Sequence, residues 1–300
     1  MIAITGATGH TGKRAAEALL QNGEQVRVIG RDARKLEPLA KEGAELFVGD
    51  LADVTSMTNA FSSAAAAYLM IPPAMERDPF RAYQEQISDS YAAAVERAKV
   101  SHVVVLSSVG AWHAEKTGPI VGLHNLEQKL RRIAGLNALF LRPANFMENL
   151  LMSLEPLRSM GFLPGPSPAN VSLPMIASQD IGAYAAKRLR ARDFSGMSTQ
   201  ELLGPRDVTM KEAAGIIGAA IGSPKLGYME VPFMMIEPAL AKMGMPKSSA
   251  SLMVEMWKAG NAGLLAPQEP RSEKNTTSTT LEQFVTEVFL PAYRNNSSQG

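Results

Sequence analysis

Met1-Ile2-Ala3-Ile4-Thr5-Gly6-Ala7-Thr8-Gly9-His10-Thr11-Gly12 runs an apolar strand-like segment into a turn with glycines at three-residue intervals. Residues Met1–Thr5 read as a short buried β-strand. From Thr11 to Asn22 the apolar residues Ala15, Ala18 and Leu19 recur at helical spacing, and Gly23 supplies a natural stop. Each glycine between these elements has a mechanical job. Gly6 allows a tight turn off the strand, Gly9 lets backbone approach a pyrophosphate, and Gly12 lets the helix pack close to the sheet. The free N–H groups at the helix start, with the helix dipole behind them, favour a phosphate. A glycine triplet alone is weak evidence. Placed between a strand and a helix it indicates a dinucleotide site, with Gly6, Thr8, Gly9, His10, Thr11 and Gly12 as candidate contacts.

The same alternation continues beyond this unit. Strands are expected at Gln25–Ile29, Glu45–Val48, Ala66–Ile71, His102–Leu106 and Ala138–Leu141. Helices are expected at Asp32–Glu42, Asp53–Phe61, Pro79–Lys99 and Leu123–Ala134, with Asp32 and Asp53 as caps. Strands separated by helices imply a parallel sheet with right-handed crossovers. The expected fold is therefore α/β, a Rossmann-type doubly wound sheet with a smaller α+β C-terminal lobe. The rhythm changes after Pro143. A helix is expected at Asn145–Met160, loop at Gly161–Pro174, helices at Asp180–Arg190 and Met210–Ile221, a strand near Glu201–Leu203, and a methionine-rich stretch from Met229 to Met256. This gives a cofactor domain over residues 1–144, a substrate or lid lobe over 145–294 that can interleave with it, and a frayed tail at 295–300.

The end of the second strand bears on which dinucleotide is bound. Sites for NAD usually place Asp or Glu there to hold the ribose hydroxyls. Here Ile29-Gly30-Arg31 carries a guanidinium instead, suited to paired hydrogen bonds with a 2′-phosphate, so NADP(H) is favoured and NAD(H) remains open. Arg34 and Lys35 can assist. The alternative is a solvated basic helix start with Asp32 as a cap. Asp50 either accepts from the adenine amino group or caps the following helix. The other strand ends add Leu51, Ile71, Pro72, Ser107, Ser108 and Asn145 as candidate cofactor contacts.

Composition narrows the classes. The chain has 300 residues, 46% of them hydrophobic and 20% charged, with a net charge of +1. No clustered Lys and Arg block supports nucleic-acid binding by counterion release. Cysteine is absent, which excludes disulfides and thiolate chemistry and fits a reducing cytoplasm. No signal peptide or membrane-length apolar run is visible. His10, His102, His113 and His124 are scattered, so no metal site is expected. The expected partner is a small apolar acceptor, and the protein itself a monomer or homodimer.

Gly6–Gly12, Gly49-Asp50, Ser107-Ser108-Val109-Gly110, Leu141-Arg142-Pro143 and Asn145-Phe146-Met147-Glu148-Asn149 together resemble the NmrA-like atypical short-chain dehydrogenase/reductases. Gln179-Asp180-Ile181-Gly182 and Gly204-Pro205, with Thr209 and Glu212, extend the resemblance to almost the whole chain. It implies a dinucleotide fold shared by NADPH-dependent quinone, azo-dye and triphenylmethane reductases and by regulatory members that sense the dinucleotide. Ordinary short-chain dehydrogenases use Ser with a Tyr-x-x-x-Lys pair. Ser107 or Ser108 fits the serine, but no tyrosine lies between Tyr91 and Tyr184. His124, at the expected start of the helix after the serine strand, is the candidate proton donor, the alternative being a helix-start histidine exposed to solvent or bonded to Glu127. Lys129 is a second candidate. Trp112, His113, Phe146, Met147 and Asn149 are candidate walls of an acceptor pocket, with core packing the alternative for Phe146 and Met147. Two functions follow as expectations: an NADPH-dependent reductase of quinones or similar flat acceptors, or a non-catalytic NADP(H) sensor acting through a protein partner.

Overall fold

Alternate residues of the first strand face opposite layers of the protein, as period-2 geometry requires. In the computed structural model, which describes residues 1–295, Ile2 and Ile4 enter one apolar core while Ala3 enters another. This strand, β1 (Ile2–Thr5), is followed by α1 (His10–Gln21), β2 (Val26–Gly30), α2 (Ala33–Lys41), β3 (Glu45–Val48), α3 (Val54–Ala60) and β4 (Ala66–Leu69). Then come α4 (Phe80–Arg97), β5 (His102–Leu106), α5 (Ile120–Leu130) and β6 (Asn137–Pro143). Asp32 accepts from the Arg34 N–H at 3.0 Å and Asp53 from Thr55 at 2.8 Å, so both expected caps are in place.

The main sheet, completed by the later strand β10 (Met197–Leu202), has the order β10-β6-β5-β4-β1-β2-β3, and every neighbouring pair is parallel. The order reverses on either side of β1, the switch that opens a crevice at the carboxyl ends of the strands. One face is covered by α1, α2 and the later helix α7 (Ser178–Ala191), through Leu19, Leu36, Leu39, Ile181 and Leu189. The other is covered by α3, α4 and α5, through Met57, Ile87, Tyr91, Leu126 and Leu130. The architecture is a doubly wound Rossmann-type sheet.

The remaining elements are β7 (Asn145–Phe146), α6 (Leu154–Met160), β8 (Leu163–Gly165), β9 (Ser172–Ile176), α7 (Ser178–Ala191), β10 (Met197–Leu202), β11 (Asp207–Thr209), α8 (Met210–Ile221) and β12 (Tyr228–Glu230). They end with α9 (Phe233–Lys242), α10 (Lys247–Asn261), α11 (Leu281–Phe284) and α12 (Leu290–Asn295). Several expectations are corrected here. Residues Asn145–Met160 are not one helix: a two-residue strand pairs with β9, a 3-10 turn runs over Met147–Ser153, and only Leu154–Met160 is α-helical. The segment expected as loop after Gly161 contains β8 and β9. The strand near Glu201 spans Met197–Leu202 and forms an edge of the main sheet against β6. The helix after the serine strand begins at Ile120 and ends at Leu130, which puts His124 in its second turn. The expected frayed tail lies outside the described residues from position 296 onward. Among the described residues no helix is long and apolar enough to cross a membrane.

The later elements build two further cores. One gathers Leu150, Leu163, Met175, Ile217, Phe284 and Phe289. The other joins the helical hairpin of α9 and α10 through Ile236, Leu240, Ala250 and Val254. α10 reaches the loops that follow β4 and β5: Ser248 donates to Asp78 at 2.5 Å, and Gly118 lies directly under the Leu252 carbonyl.

Candidate functional site

The turn after β1 is built for close approach. Gly6 has φ +64°, in the left-handed region. A Cβ on Gly12 would stand 2.4 Å from the Gly6 carbonyl oxygen, so only glycine permits α1 to start this near the strand. The Gly9 N–H donates to Gly6 O at 2.9 Å and closes the turn. α1 receives no side-chain cap, unlike the next two helices. Its first N–H groups therefore present an anion cradle at the mouth of the crevice, a fit for a pyrophosphate. Thr8, Gly9 and His10 are exposed there. Thr11 is buried, its hydroxyl accepting from the Tyr68 phenol at 2.9 Å, so its side chain braces α1 on β4. Burial pushes that phenol far above its ordinary range.

Arg31 follows β2 and is exposed, with no hydrogen bond or ion pair among the described residues. Lys35 is likewise exposed, while Arg34 faces Asp32 at 3.5 Å. Asp50 accepts from the Ala52 N–H at 3.0 Å in the turn after β3; the cap of α3 is Asp53, not Asp50. Leu51 is buried in the core beside α3. Tyr83 on α4 is half-buried. Burial raises its phenol; the charges of Arg31 and Arg77 oppose the rise, and those of Asp50 and Glu76 add to it. Arg77 also lies over the Tyr83 ring, 5.5 Å from its centroid. Ile71 and Pro72 continue β4 into the loop that leads to Arg77, Ile71 buried and Pro72 half-buried.

The loop after β5 holds the serine pair. Ser107 is 3% exposed and donates to Glu127 Oε1 at 2.6 Å. Glu127 also accepts from Arg142 Nε at 3.0 Å and Nη2 at 2.7 Å. With its proton given to Glu127, the Ser107 hydroxyl is left to act as an acceptor. Ser108 donates to the Val109 carbonyl at 2.8 Å. His124 is half-buried, and its Nδ1 lies 2.9 Å from the Ala111 carbonyl oxygen. A carbonyl only accepts, so Nδ1 carries the proton and Nε2 is the atom available for exchange. The alternative of a bond from His124 to Glu127 does not occur. Lys129 is held by Glu85 at 2.6 Å and Asp89 at 2.5 Å on α4, which ties α5 to α4. Trp112 and His113 are half-buried neighbours in the same loop, their rings 5.6 Å apart. His113 Nε2 lies 3.2 Å from the Leu264 carbonyl, just past the end of α10.

Beyond β6, Asn145 and Asn149 are exposed and joined by a 2.8 Å hydrogen bond. Phe146 packs against the main core, and Met147, 1% exposed, lies within the separate core that gathers Leu150, Leu163 and Met175. Glu148 accepts from Ser178 N at 3.0 Å and so caps α7. Asp180, in the first turn of α7, accepts from Thr279 N at 3.0 Å and Oγ1 at 2.7 Å. A cavity of ≈ 210 Å³ opens beside the phosphate loop between His10, Lys13, Arg14, Glu148, Ser178 and Gln179. Sequence reasoning missed Tyr68, Glu127 and Glu148 as supports of the site. Arg142 and Glu148 did stand in motifs that marked the family resemblance; their contacts give those motifs a physical role. No group of three metal-ligating side chains occurs among the described residues.

Comparison with known proteins bears on the family and the fold. The family model described as the NmrA-like family matches residues 1–285. An NAD(P)H azoreductase of Xenophilus azovorans is 26% identical over 268 residues, 89% of each chain. The crystal structure of an NADPH-dependent quinone oxidoreductase from Escherichia coli, complexed with NADPH, superposes with TM-score 0.77 at 23% identity, covering 96% of this chain and 100% of that one. A negative transcriptional regulator in complex with NADP superposes with TM-score 0.75 at 17% identity, covering 98% and 97%.

Proposed function

The chain belongs to the NmrA-like family, and from that membership and the site's geometry we propose that it is an NADPH-dependent oxidoreductase reducing quinones or similar flat apolar acceptors by hydride transfer. The observation that carries the reading is the uncapped start of α1 on its glycine turn, with the uncommitted Arg31 at the neighbouring strand end. The first receives the pyrophosphate; the second holds a 2′-phosphate and favours NADPH over NADH. When bound, the nicotinamide supplies the hydride. Residues 1–144 bind the dinucleotide and residues 145–294 close the acceptor side. Trp112, His113 and Phe146 exclude water there, and His124, with Nδ1–H held by Ala111, takes a second proton from solvent on Nε2 and passes that proton to the reduced acceptor. No tyrosine lies between Tyr91 and Tyr184, so acceptors that need no phenol, quinones and azo dyes among them, suit the site better than simple ketones. The azoreductase relative supports this choice. Lack of cysteine fits a cytoplasmic protein, acting as a monomer or homodimer.

The missing dyad and the NADP-bound regulator among the structural neighbours favour one second reading, a dinucleotide sensor without turnover. A sensor must bind NADP⁺ and NADPH unequally, or bind a partner in only one state. The test is titration of the purified protein with NADPH, NADP⁺, NADH and NAD⁺, followed by a quinone at saturating cofactor. Loss of NADPH absorbance on adding quinone is expected. Tight binding without turnover across a quinone and dye panel overturns the reductase reading in favour of the sensor.

A further inference from the structure

The β5 loop rests on a buried charge pair. Glu127 is 0% exposed, and its carboxylate takes two hydrogen bonds from Arg142 and one from Ser107, with Arg131 Nη2 at 3.5 Å. Arg142 is 8% exposed and its guanidinium carbon stands 5.6 Å from the Trp112 ring centroid. Trp112 in turn meets His113, which touches the Leu264 carbonyl. The contacts run without a gap from the buried carboxylate to the half-exposed indole.

Stability alone gives a weak reason for such a pair. Desolvation of two charges offsets most of their attraction, and apolar replacements of similar volume are often as stable. What the pair adds is direction. The two parallel bonds from the guanidinium fork fix its plane, and a fixed planar cation orients an aromatic ring above it. We propose that Glu127 and Arg142 are positioning residues whose output is the orientation of Trp112, the wall against which a flat acceptor packs. This rests on the acceptor site proposed above. The pair touches neither acceptor nor dinucleotide; it acts through the indole.

The test separates direction from stability. In a Trp257→Phe background Trp112 is the sole indole, since the chain has two tryptophans. Replacing the pair together, Glu127→Leu with Arg142→Met, leaves no charge buried, and a folded protein is expected; NADPH affinity, measured beside it, registers any change at Ser107, which loses its acceptor. Acrylamide quenching of Trp112 is expected to rise about twofold and acceptor KM about tenfold, with kcat little changed. Arg142→Lys, which keeps the charge and loses the fork, is expected to move quenching and KM the same way. In a Trp112→Ala background neither change raises KM further, because coupled residues are not additive. Unchanged quenching in both variants, or an undiminished KM effect without the indole, overturns the proposal. If the parent turns over no acceptor, the reductase reading fails separately, and quenching still decides the orientation of Trp112.

Discussion

Arg31 is an exposed cation without a hydrogen bond or ion pair among the described residues, just past the end of β2. A bidentate contact to a phosphate is a strong charge-assisted interaction. Arg31→Ala is therefore expected to weaken NADPH binding by about 10- to 100-fold and to leave NADH within about twofold. Parallel titrations check it, and equal losses for both cofactors refute the 2′-phosphate role. His124 is the second residue with a clear expectation. Its Nδ1 is committed to Ala111, so His124→Ala removes the exchangeable Nε2 and is expected to lower kcat by about 10²-fold without changing NADPH affinity. Single-turnover kinetics at saturating NADPH measures it; an unchanged rate gives the proton transfer to solvent. Glycine spacing and the charge of Arg31 were legible as sequence because backbone shape and ionic state are properties of single residues. Glu127 was not. A glutamate in a helix reads as a solvated charge, and its burial follows from Arg142 arriving from β6, which no local pattern reports.

Between helices, the clearest device is the clamp of Lys129 on Glu85 and Asp89. Burial alone raises the Glu85 carboxyl, but hydrogen bonds from Lys129 and Asn125 outweigh it and hold the group below its ordinary value of 4.5. A depressed carboxyl contributes stability above its unfolded pKa and loses it as pH falls toward its folded pKa. The wild-type protein is therefore expected to lose stability as pH drops below about 4.5, and Lys129→Gln to flatten that part of the profile. Both side chains are partly exposed, so the effect is on the order of 1 kcal/mol or less. Chemical denaturation across pH checks the slope; identical slopes refute the clamp. The elements of the first half were legible because helix period, caps and strand composition agree along the chain. The Asn145–Met160 segment was misread for a physical reason. Met147 and Leu150, three apart, suit a 3-10 turn as well as an α-helix, and the strand at Asn145 exists only because β9 returns to pair with it.

Taken whole, the molecule is closed by its last third. Glu201 accepts from Gln268 N at 2.9 Å and Glu269 N at 3.0 Å, Leu203 exchanges backbone bonds with Asn275 and Thr277, and Asp180 holds Thr279. Asp180→Ala removes two bonds to a charged acceptor and is expected to cost about 2 kcal/mol. Limited proteolysis between α10 and α11 is then expected to quicken, and wild-type rates would deny that Asp180 anchors this segment. The Gln179-Asp180 motif was visible in the sequence. Its partner a hundred positions away was not, because nothing local distinguishes an anchoring carboxylate from a cap.

The late arrival of β10 has a consequence during synthesis. β6 is buried along nearly its whole length, and its outer neighbour, Met197–Leu202, lies about 54 residues further along the chain. At translation rates of 5–20 residues per second, the nascent protein carries an unpaired apolar edge for several seconds. That interval is a window in which a chaperone or a second unfinished chain can pair with β6 before its own partner leaves the ribosome.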